Sequence, residues 1–165
     1  MKKIINICFL SLLLISCSNK EQKLKRAGEP DVLYVQESDQ EMNAAIKKAK
    51  ETFSDFQKAF NSRNPDYSNF CLKQEFDTSD GGGEHIWIGD LQLKDDGYYG
   101  IVQNTPVDVA NVKLGDSVKV SLEKMSDWMY YDRNIVEGGY TVKVLRNHMT
   151  DDEKKEMDVE GLIYK

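Results

Sequence analysis

The stretch of sequence that decides the fold is residues 38–61, SDQEMNAAIKKAKETFSDFQKAFN. Apolar side chains recur in it at steps of three and four residues, the period of one face of an α-helix. These apolar positions are Met42, Ile46, Ala49, Phe53, Phe56 and Phe60. Ser38 and Glu41 have the spacing of a capping box, in which hydroxyl and carboxylate each satisfy a free backbone N–H. We therefore predict one long amphipathic helix that begins at Ser38 and ends near Asn61, before Asn64-Pro65. Each buried phenylalanine stabilises such a helix by roughly 1.5–3 kcal/mol, which makes the helix part of the core.

Beyond this helix the apolar residues alternate with polar ones, which is typical of β-strands. We predict six strands, at residues 70–76, 84–94, 98–104, 117–122, 128–133 and 140–145. Asp95-Asp96-Gly97 is a hairpin turn and Gly138-Gly139 is a second turn. In the second strand the apolar residues change face at Gly89, so either Gly89 marks a β-bulge or both faces of the strand are covered.

The end of the chain repeats the capping-box spacing. Thr150 and Glu153 predict a short C-terminal helix over Asp151–Met157. The fold class is therefore α+β: a single domain, residues 38–165, in which one long N-terminal helix packs on an antiparallel sheet. Closure of that sheet into a barrel remains an open alternative.

Upstream of the domain the sequence has the features of a targeting segment. Lys2 and Lys3 precede a short apolar run that is too brief to span a bilayer and ends in Leu14-Ile15-Ser16-Cys17. This ending has the form of a bacterial lipobox, so we expect residues 1–16 to be a lipoprotein signal peptide and Cys17 to carry the lipid, including palmitate-type acyl chains. Residues 17–37 are then the lipidated N-terminus and a flexible tether. The alternative is an ordinary secretory signal with an incidental cysteine.

The cellular location that the lipobox predicts is the cell envelope, with the lipid on Cys17 as the contact with the membrane. Ser18 rather than aspartate follows Cys17, which favours the outer membrane, facing the periplasm, over the inner membrane.

The chain has 22 Lys and Arg against 28 Asp and Glu, and loss of Lys2 and Lys3 leaves 20 against 28, a difference of −8. Such an acidic domain argues against nucleic acid as a partner, because phosphate backbones require a basic face.

The three cysteines are also consistent with a lipid-anchored protein. Cys8 leaves with the signal peptide and Cys17 takes the lipid, so Cys71 stands alone and no internal disulfide is expected. A buried structural thiol is the favoured interpretation of Cys71, with a nucleophile as the alternative.

Two clusters are candidate sites. Glu84, His85 and Trp87 follow three glycines, and His85 shares a strand face with Trp87 while Glu84 points to the other face. Asp127 and Trp128 begin a run of aromatic residues that is suited to a recognition groove. The structural alternative is that His85 and Trp87 are an ordinary strand pair, that Trp128 fills the core and that Asp127 caps a turn.

Motifs for metal, phosphate or covalent chemistry are weak. Neither a Cys-x-x-Cys nor a His-Glu-x-x-His spacing occurs, and Gly81-Gly82-Gly83 lacks the Lys-Ser/Thr of a phosphate loop. The sequence therefore predicts no cofactor and no metal site.

The order of the motifs resembles the YegJ-like family, a bacterial domain of unknown function numbered 2314 (DUF2314). The resemblance covers roughly residues 40–150, and it is specific in 84–87 and 127–129 and looser in 100–106, 114–118 and 139–141. It implies a single α+β domain and is consistent with an exported or lipid-anchored protein, but it brings no catalytic residues to this chain.

The function that these observations favour is a membrane-anchored envelope lipoprotein that is a non-catalytic binding or accessory module. Its candidate binding surface is Glu84, His85, Trp87, Asp127 and Trp128, for an envelope protein or a small-molecule ligand. The alternative is a hydrolase-like enzyme that uses His85 as general base with Glu84 or Asp127 as its carboxylate partner.

Overall fold

The computed structural model describes residues 23–26, 29–33, 40–158 and 161–165, and divides the chain into two units, Met1–Val35 and Gln36–Lys165. In the first unit, strand β1 (Lys23–Arg26) pairs antiparallel with β2 (Glu29–Leu33). This pair falls within the predicted tether. Residues 1–22, including the predicted signal peptide and Cys17, lie outside the described residues.

The second unit begins with two helices where the sequence predicts one. Helix α1 spans Gln40–Glu51 and α2 spans Phe53–Ser62, with Thr52 between them at φ −101° and ψ 7°. The Thr52 hydroxyl donates to the carbonyl of Lys48 at 2.8 Å and shares a 3.1 Å hydrogen bond with the Tyr140 hydroxyl. Back-bonding of a threonine hydroxyl to a carbonyl of the preceding turn distorts a helix, and here it coincides with the interruption. The predicted cap at Ser38 lies outside the described residues.

The described strands of this unit form one seven-stranded sheet with the order β6-β5-β4-β3-β7-β8-β9. All pairs are antiparallel except β8 with β9, which is parallel. The strands are β3 (Tyr67–Asp77), β4 (Gly83–Lys94), β5 (Gly97–Val102), β6 (Ser117–Lys119), β7 (Met125–Asp132), β8 (Ile135–Gly138) and β9 (Ile163–Tyr164).

Two expectations about this sheet are corrected. Over the described residues the sheet is open and not a barrel, because its edges are the three-residue β6 and the two-residue β9. The strand predicted at residues 140–145 is instead helix α3 (Tyr140–Asn147). Gly138 and Gly139 have φ of 73° and 60°, a left-handed conformation that glycine adopts freely, and they turn the chain out of the sheet before α3 begins.

Other local predictions are confirmed. The hairpin turn lies between β4 and β5, and the pairing of β4 with β5 shifts register between Gly89 and Gln92, so Gly89 does begin a bulge. Helix α4 (Asp151–Met157) starts with the Thr150–Glu153 capping box, with both of its hydrogen bonds present.

The core lies between the first two helices and one face of the sheet. Phe56 and Ala49 are fully buried against Leu72, Ile88 and Trp128. The Phe56 ring lies 5.5–6.2 Å from the rings of Phe53, Phe60, Phe70, Tyr98 and Trp128. Since alternate residues of a strand point to opposite faces, the odd-numbered residues of β3 and β4 that flank Leu72 and Ile88 lie on the other side of the sheet. We call that side the outer face.

Candidate functional site

The register of three neighbouring strands assembles a polar group on the outer face. Lys73 of β3 lies opposite Trp87 of β4 on one side and opposite Asp127 of β7 on the other. One step along the same strands, Glu75 lies opposite His85. Directly opposite residues in an antiparallel pair have Cβ atoms about 4.5–5.5 Å apart, so these five side chains are neighbours.

His85 stands between a hydroxyl and a carboxylate. Its Nδ1 shares a 2.9 Å hydrogen bond with Ser126 Oγ, and its Nε2 lies 3.9 Å from Glu75 Oε2. The imidazole keeps 36% of its surface exposed, whereas Ser126 is only 2% exposed. Burial lowers the pKa of His85, the Lys73 ammonium lowers it further and the Glu75 carboxylate opposes the shift. His85 is therefore held towards its neutral form.

Lys73 is a half-buried residue of this group. Its Nζ donates to Thr141 Oγ1 at 3.2 Å and lies 5.2 Å from the centre of the Trp87 ring. Within the part of the chain that the structure describes, no carboxylate comes within 4 Å of this nitrogen. Burial lowers the pKa of Lys73, and the charge of Asp127 opposes that shift.

Asp127 has a capping role, as in the structural alternative drawn from the sequence, but it caps a helix and not a turn. It is fully buried, and its Oδ1 accepts from the backbone N–H groups of Trp128 at 2.8 Å and Tyr140 at 3.1 Å. Its Oδ2 accepts from the backbone N–H and the hydroxyl of Thr141 at 2.8 and 2.6 Å. The carboxylate thus caps the N-terminus of α3 from a neighbouring strand. Burial raises the pKa of Asp127, while the Thr141 hydroxyl and the Lys73 charge oppose that rise.

Two of the sequence-predicted residues lie elsewhere. Trp128 is 3% exposed on the helix side of the sheet, where its Nε1–H donates to the carbonyl of Ala49 at 2.9 Å. Glu84 lies on the other side of β4 from His85, and its carboxylate accepts from the backbone N–H groups of Val107 and Asp108 at 2.9–3.0 Å. Glu84 therefore anchors the loop after β5. The structure brings His85, Trp87 and Asp127 together and leaves Glu84 and Trp128 out of that group.

Sequence reasoning missed four members of the outer-face group: Lys73, Glu75, Ser126 and Thr141. The alternation in β3 does place Lys73 and Glu75 on one face, but only the β3–β4 register shows that this face is the one with His85 and Trp87. Ser126 joins the group because the β3–β7 pairing shifts register between Lys73 and Gln74.

Cys71 is a buried free thiol on the same strand. Burial, with a smaller contribution from the Asp90 carboxylate, raises its pKa to about 12. Its Sγ lies 3.4 Å from Oε1 of Gln103, whose side chain crosses directly over Gly89. A thiol this hard to ionise is a poor nucleophile, which supports its interpretation as structural.

In the described ranges, no three or more His, Cys, Asp or Glu side chains are grouped so as to hold a metal ion. None of the helices in the described ranges is both long and apolar enough to cross a membrane.

An open, mostly antiparallel sheet, with two helices on one face and a polar group on the other, defines an α+β domain. The chain belongs to the family described as "Uncharacterized protein conserved in bacteria (DUF2314)", whose model matches residues 39–163. The expected resemblance is therefore confirmed.

Two relatives share this sequence pattern. The chain is 33% identical over 138 residues to the "Putative ankyrin repeat protein NMB1133/NMB1171" of Neisseria meningitidis serogroup B (strain ATCC BAA-335 / MC58), covering 79% of this chain and 54% of that protein. It is 34% identical over 106 residues to "Uncharacterized protein YegJ" of Escherichia coli (strain K12), covering 64% of this chain and 67% of that protein. The chain thus spans about half the length of the first relative. No solved structure matches it.

Proposed function

We propose that this protein is a lipid-anchored binding module of the cell envelope, and that the outer face around Lys73, His85 and Trp87 recognises a carboxylate group of its ligand. The observation that carries the proposal is Lys73. Its ammonium has a single hydrogen bond, to a neutral hydroxyl, and no ion pair within 4 Å among the described residues. An ammonium has three N–H donors, so Lys73 retains donors for a ligand.

The neighbours of Lys73 suit the same ligand. The Trp87 ring provides an apolar surface beside the charge of Lys73. The partly exposed His85 ring provides a further nitrogen that can hydrogen-bond the ligand. A hydrogen bond between an ammonium and a carboxylate contributes about 1.5–3 kcal/mol, more than a neutral pair does. The arrangement therefore favours an acidic ligand although the domain as a whole is acidic.

Titration of the full chain carrying Cys17→Ser with succinate tests the proposal, with Trp87 fluorescence as the readout. Trp128 is buried and provides a constant background. We expect a saturable change in the parent and at least tenfold weaker binding in Lys73→Met. The matched control is Lys143→Met, since Lys143 is also half-buried and lies 5.6 Å from the Tyr140 ring. The absence of saturation, or equal binding by Lys73→Met, would contradict the proposal.

A second candidate function is hydrolysis, and one observation favours it. Ser126, His85 and Glu75 are arranged in the order hydroxyl, imidazole, carboxylate that activates a nucleophile. This set replaces Glu84 and Asp127, whose carboxylates are engaged by backbone N–H groups. The burial of Ser126 argues against it, because a nucleophile must reach its substrate. Release of p-nitrophenol from p-nitrophenyl acetate by the parent, abolished in Ser126→Ala, would establish hydrolysis; equal rates for both proteins would exclude this serine.

The lipid anchor on Cys17 is part of the proposal and rests on the lipobox 14–17. Labelling with radioactive palmitate in a bacterium that processes lipoproteins tests it. We expect label in the parent and none in Cys17→Ser, with the labelled protein in the outer-membrane fraction. Cleavage of the signal peptide without label would instead identify an ordinary secreted protein.

A further inference from the structure

A cavity of about 210 Å³ lies away from the outer-face group, where the last turn of α2 meets β3 and β4. Five residues line it: Phe60, Asn69, Phe70, Asp90 and Leu91. The rings of Phe60 and Phe70 stand edge to face with their centres 5.2 Å apart and form its aromatic wall. Three apolar side chains and two polar ones in a concave site are the usual composition of a small-ligand pocket.

Both polar residues have an unusual backbone. Asn69 has φ of 50° and Asp90 has φ of 48°, and each lies in a register shift, one in the pairing of β3 with β7 and the other in that of β4 with β5. Asparagine and aspartate tolerate the left-handed conformation better than other non-glycine residues do. Bulges re-aim side chains and are frequent beside binding sites. Two separate irregularities therefore place two polar residues in the lining of one cavity.

Asn69 and Asp90 are exposed, and their side chains have no hydrogen-bond or ion-pair partner within the described parts of the chain. No N–H, O–H or cation there forms a hydrogen bond or ion pair with the Asp90 carboxylate, and the Asn69 side-chain amide has no such partner either. A carboxylate and an amide oxygen beside aromatic rings match a primary ammonium, which is attracted by all three groups. A cavity of about 150 Å³ is large enough for benzene, so this one has room for a ring with a short aminoalkyl chain.

We propose that this cavity binds a primary ammonium on an apolar body, with the charge at Asp90 and Asn69 and the apolar body against Phe60, Phe70 and Leu91. This site is independent of the proposed function of the outer face. The same chemistry is available from a free amine or from a lysine side chain of a partner.

The test is an NMR titration of the full chain carrying Cys17→Ser with 2-phenylethylamine. We expect saturable shifts of the backbone amide signals of Asn69, Phe70, Asp90 and Leu91, and at least tenfold weaker binding of the uncharged analogue 2-phenylethanol. Asp90→Asn should weaken amine binding at least tenfold, and since asparagine also tolerates this backbone conformation the variant is expected to fold. Asp95→Asn, the same charge change at an exposed turn, should leave the affinity unchanged.

A second titration with N-acetyl-lysine amide separates the two sources. Tighter binding of this compound than of 2-phenylethylamine assigns the cavity to a lysine of a partner, and weaker binding assigns it to a free amine. The proposal is overturned if neither compound gives saturable shifts at these residues, if the alcohol binds as well as the amine, or if Asp90→Asn binds as tightly as the parent.

Discussion

The two faces of the β3–β4 pair differ in how completely their side chains are used. On the helix side, Leu72 and Ile88 are fully buried and lie in one cluster with Phe56 and Trp128. On the outer face, Lys73 and His85 are only partly buried, and Lys73 has no ion pair within 4 Å among the described residues. The helix side is therefore where the folding free energy is concentrated, and the outer face carries the groups that we propose for ligand binding.

Truncation at the centre of the helix side should have the largest effect. Phe56→Ala removes a fully buried ring that contacts five other aromatic rings, and we expect the free energy of unfolding to fall by about 3–5 kcal/mol. Urea denaturation measures the change. His85→Ala on the outer face is the comparison and should cost less than about 1 kcal/mol. Similar losses for the two variants would remove the difference between the faces.

Asp127→Ala should be the exception on the outer side of the sheet. The change removes four hydrogen bonds from a buried carboxylate and uncaps α3, so we expect a loss of about 2–3 kcal/mol. Thermal unfolding followed by circular dichroism at 222 nm reports the loss, with Asp95→Ala as an exposed control. A variant as stable as the parent would show that α3 forms without this cap.

Gly89→Ala tests how the outer face covers Cys71. A Cβ at this position would overlap the Gln103 amide, which crosses the glycine to reach the thiol, so we expect a loss of about 1–2 kcal/mol. The double variant Gly89→Ala/Gln103→Ala should recover at least half of that loss in urea denaturation. If the second change recovers nothing, the glycine is required for its backbone and not for the crossing side chain.

The smallest expected effect is a pH dependence from His85. The pKa of His85 is lowered in the folded protein, whereas in the unfolded chain the ring keeps its ordinary pKa of about 6.5. Below that pH the unfolded chain therefore binds a proton on His85 more readily than the folded protein does. The stability that the neutral ring contributes is present above that pH and is lost as the pH falls towards the folded pKa. Water screens a partly exposed ring, so the effect should stay below about 1 kcal/mol.

Urea denaturation of the parent and His85→Gln at pH 7.5 and 5.5 measures this contribution. Glutamine does not titrate, so the parent should lose more stability than the variant between the two pH values. His148 and all the carboxylates are common to both proteins and cancel in the comparison. An equal loss in both proteins would show that His85 has the same pKa in the folded and unfolded states.

Features that depend on neighbours in sequence were predictable. The apolar period at residues 40–62, the capping box at Thr150 and Glu153 and the turn before Gly97 all follow from rules that act within a few residues. The bulge at Gly89 was one of two alternatives that the sequence left open, and the structure selects it. The interruption at Thr52 was not predictable, because its hydroxyl also contacts Tyr140, 88 positions away.

The candidate site was predicted only in part, because some of its contacts join residues that are far apart in sequence. His85 and Trp87 share a face by alternation alone, but their contacts with Ser126 and Lys73 require the strand register.

The α+β class, the positions of β3 to β7 and the residues of β3 and β4 that share a face followed from the sequence, since periodicity and capping are local properties of the chain. The resemblance to the family came from the order of the motifs. Contacts in the packed fold make residues 140–147 a helix, leave the sheet open and place the Asp127 carboxylate at the N-terminus of that helix. The valines of 140–147 suit a strand, but a carboxylate 13 residues earlier in the chain satisfies the first N–H groups of the helix. Such a long-range hydrogen bond outweighs a weak local preference, and only the packed fold shows that it exists.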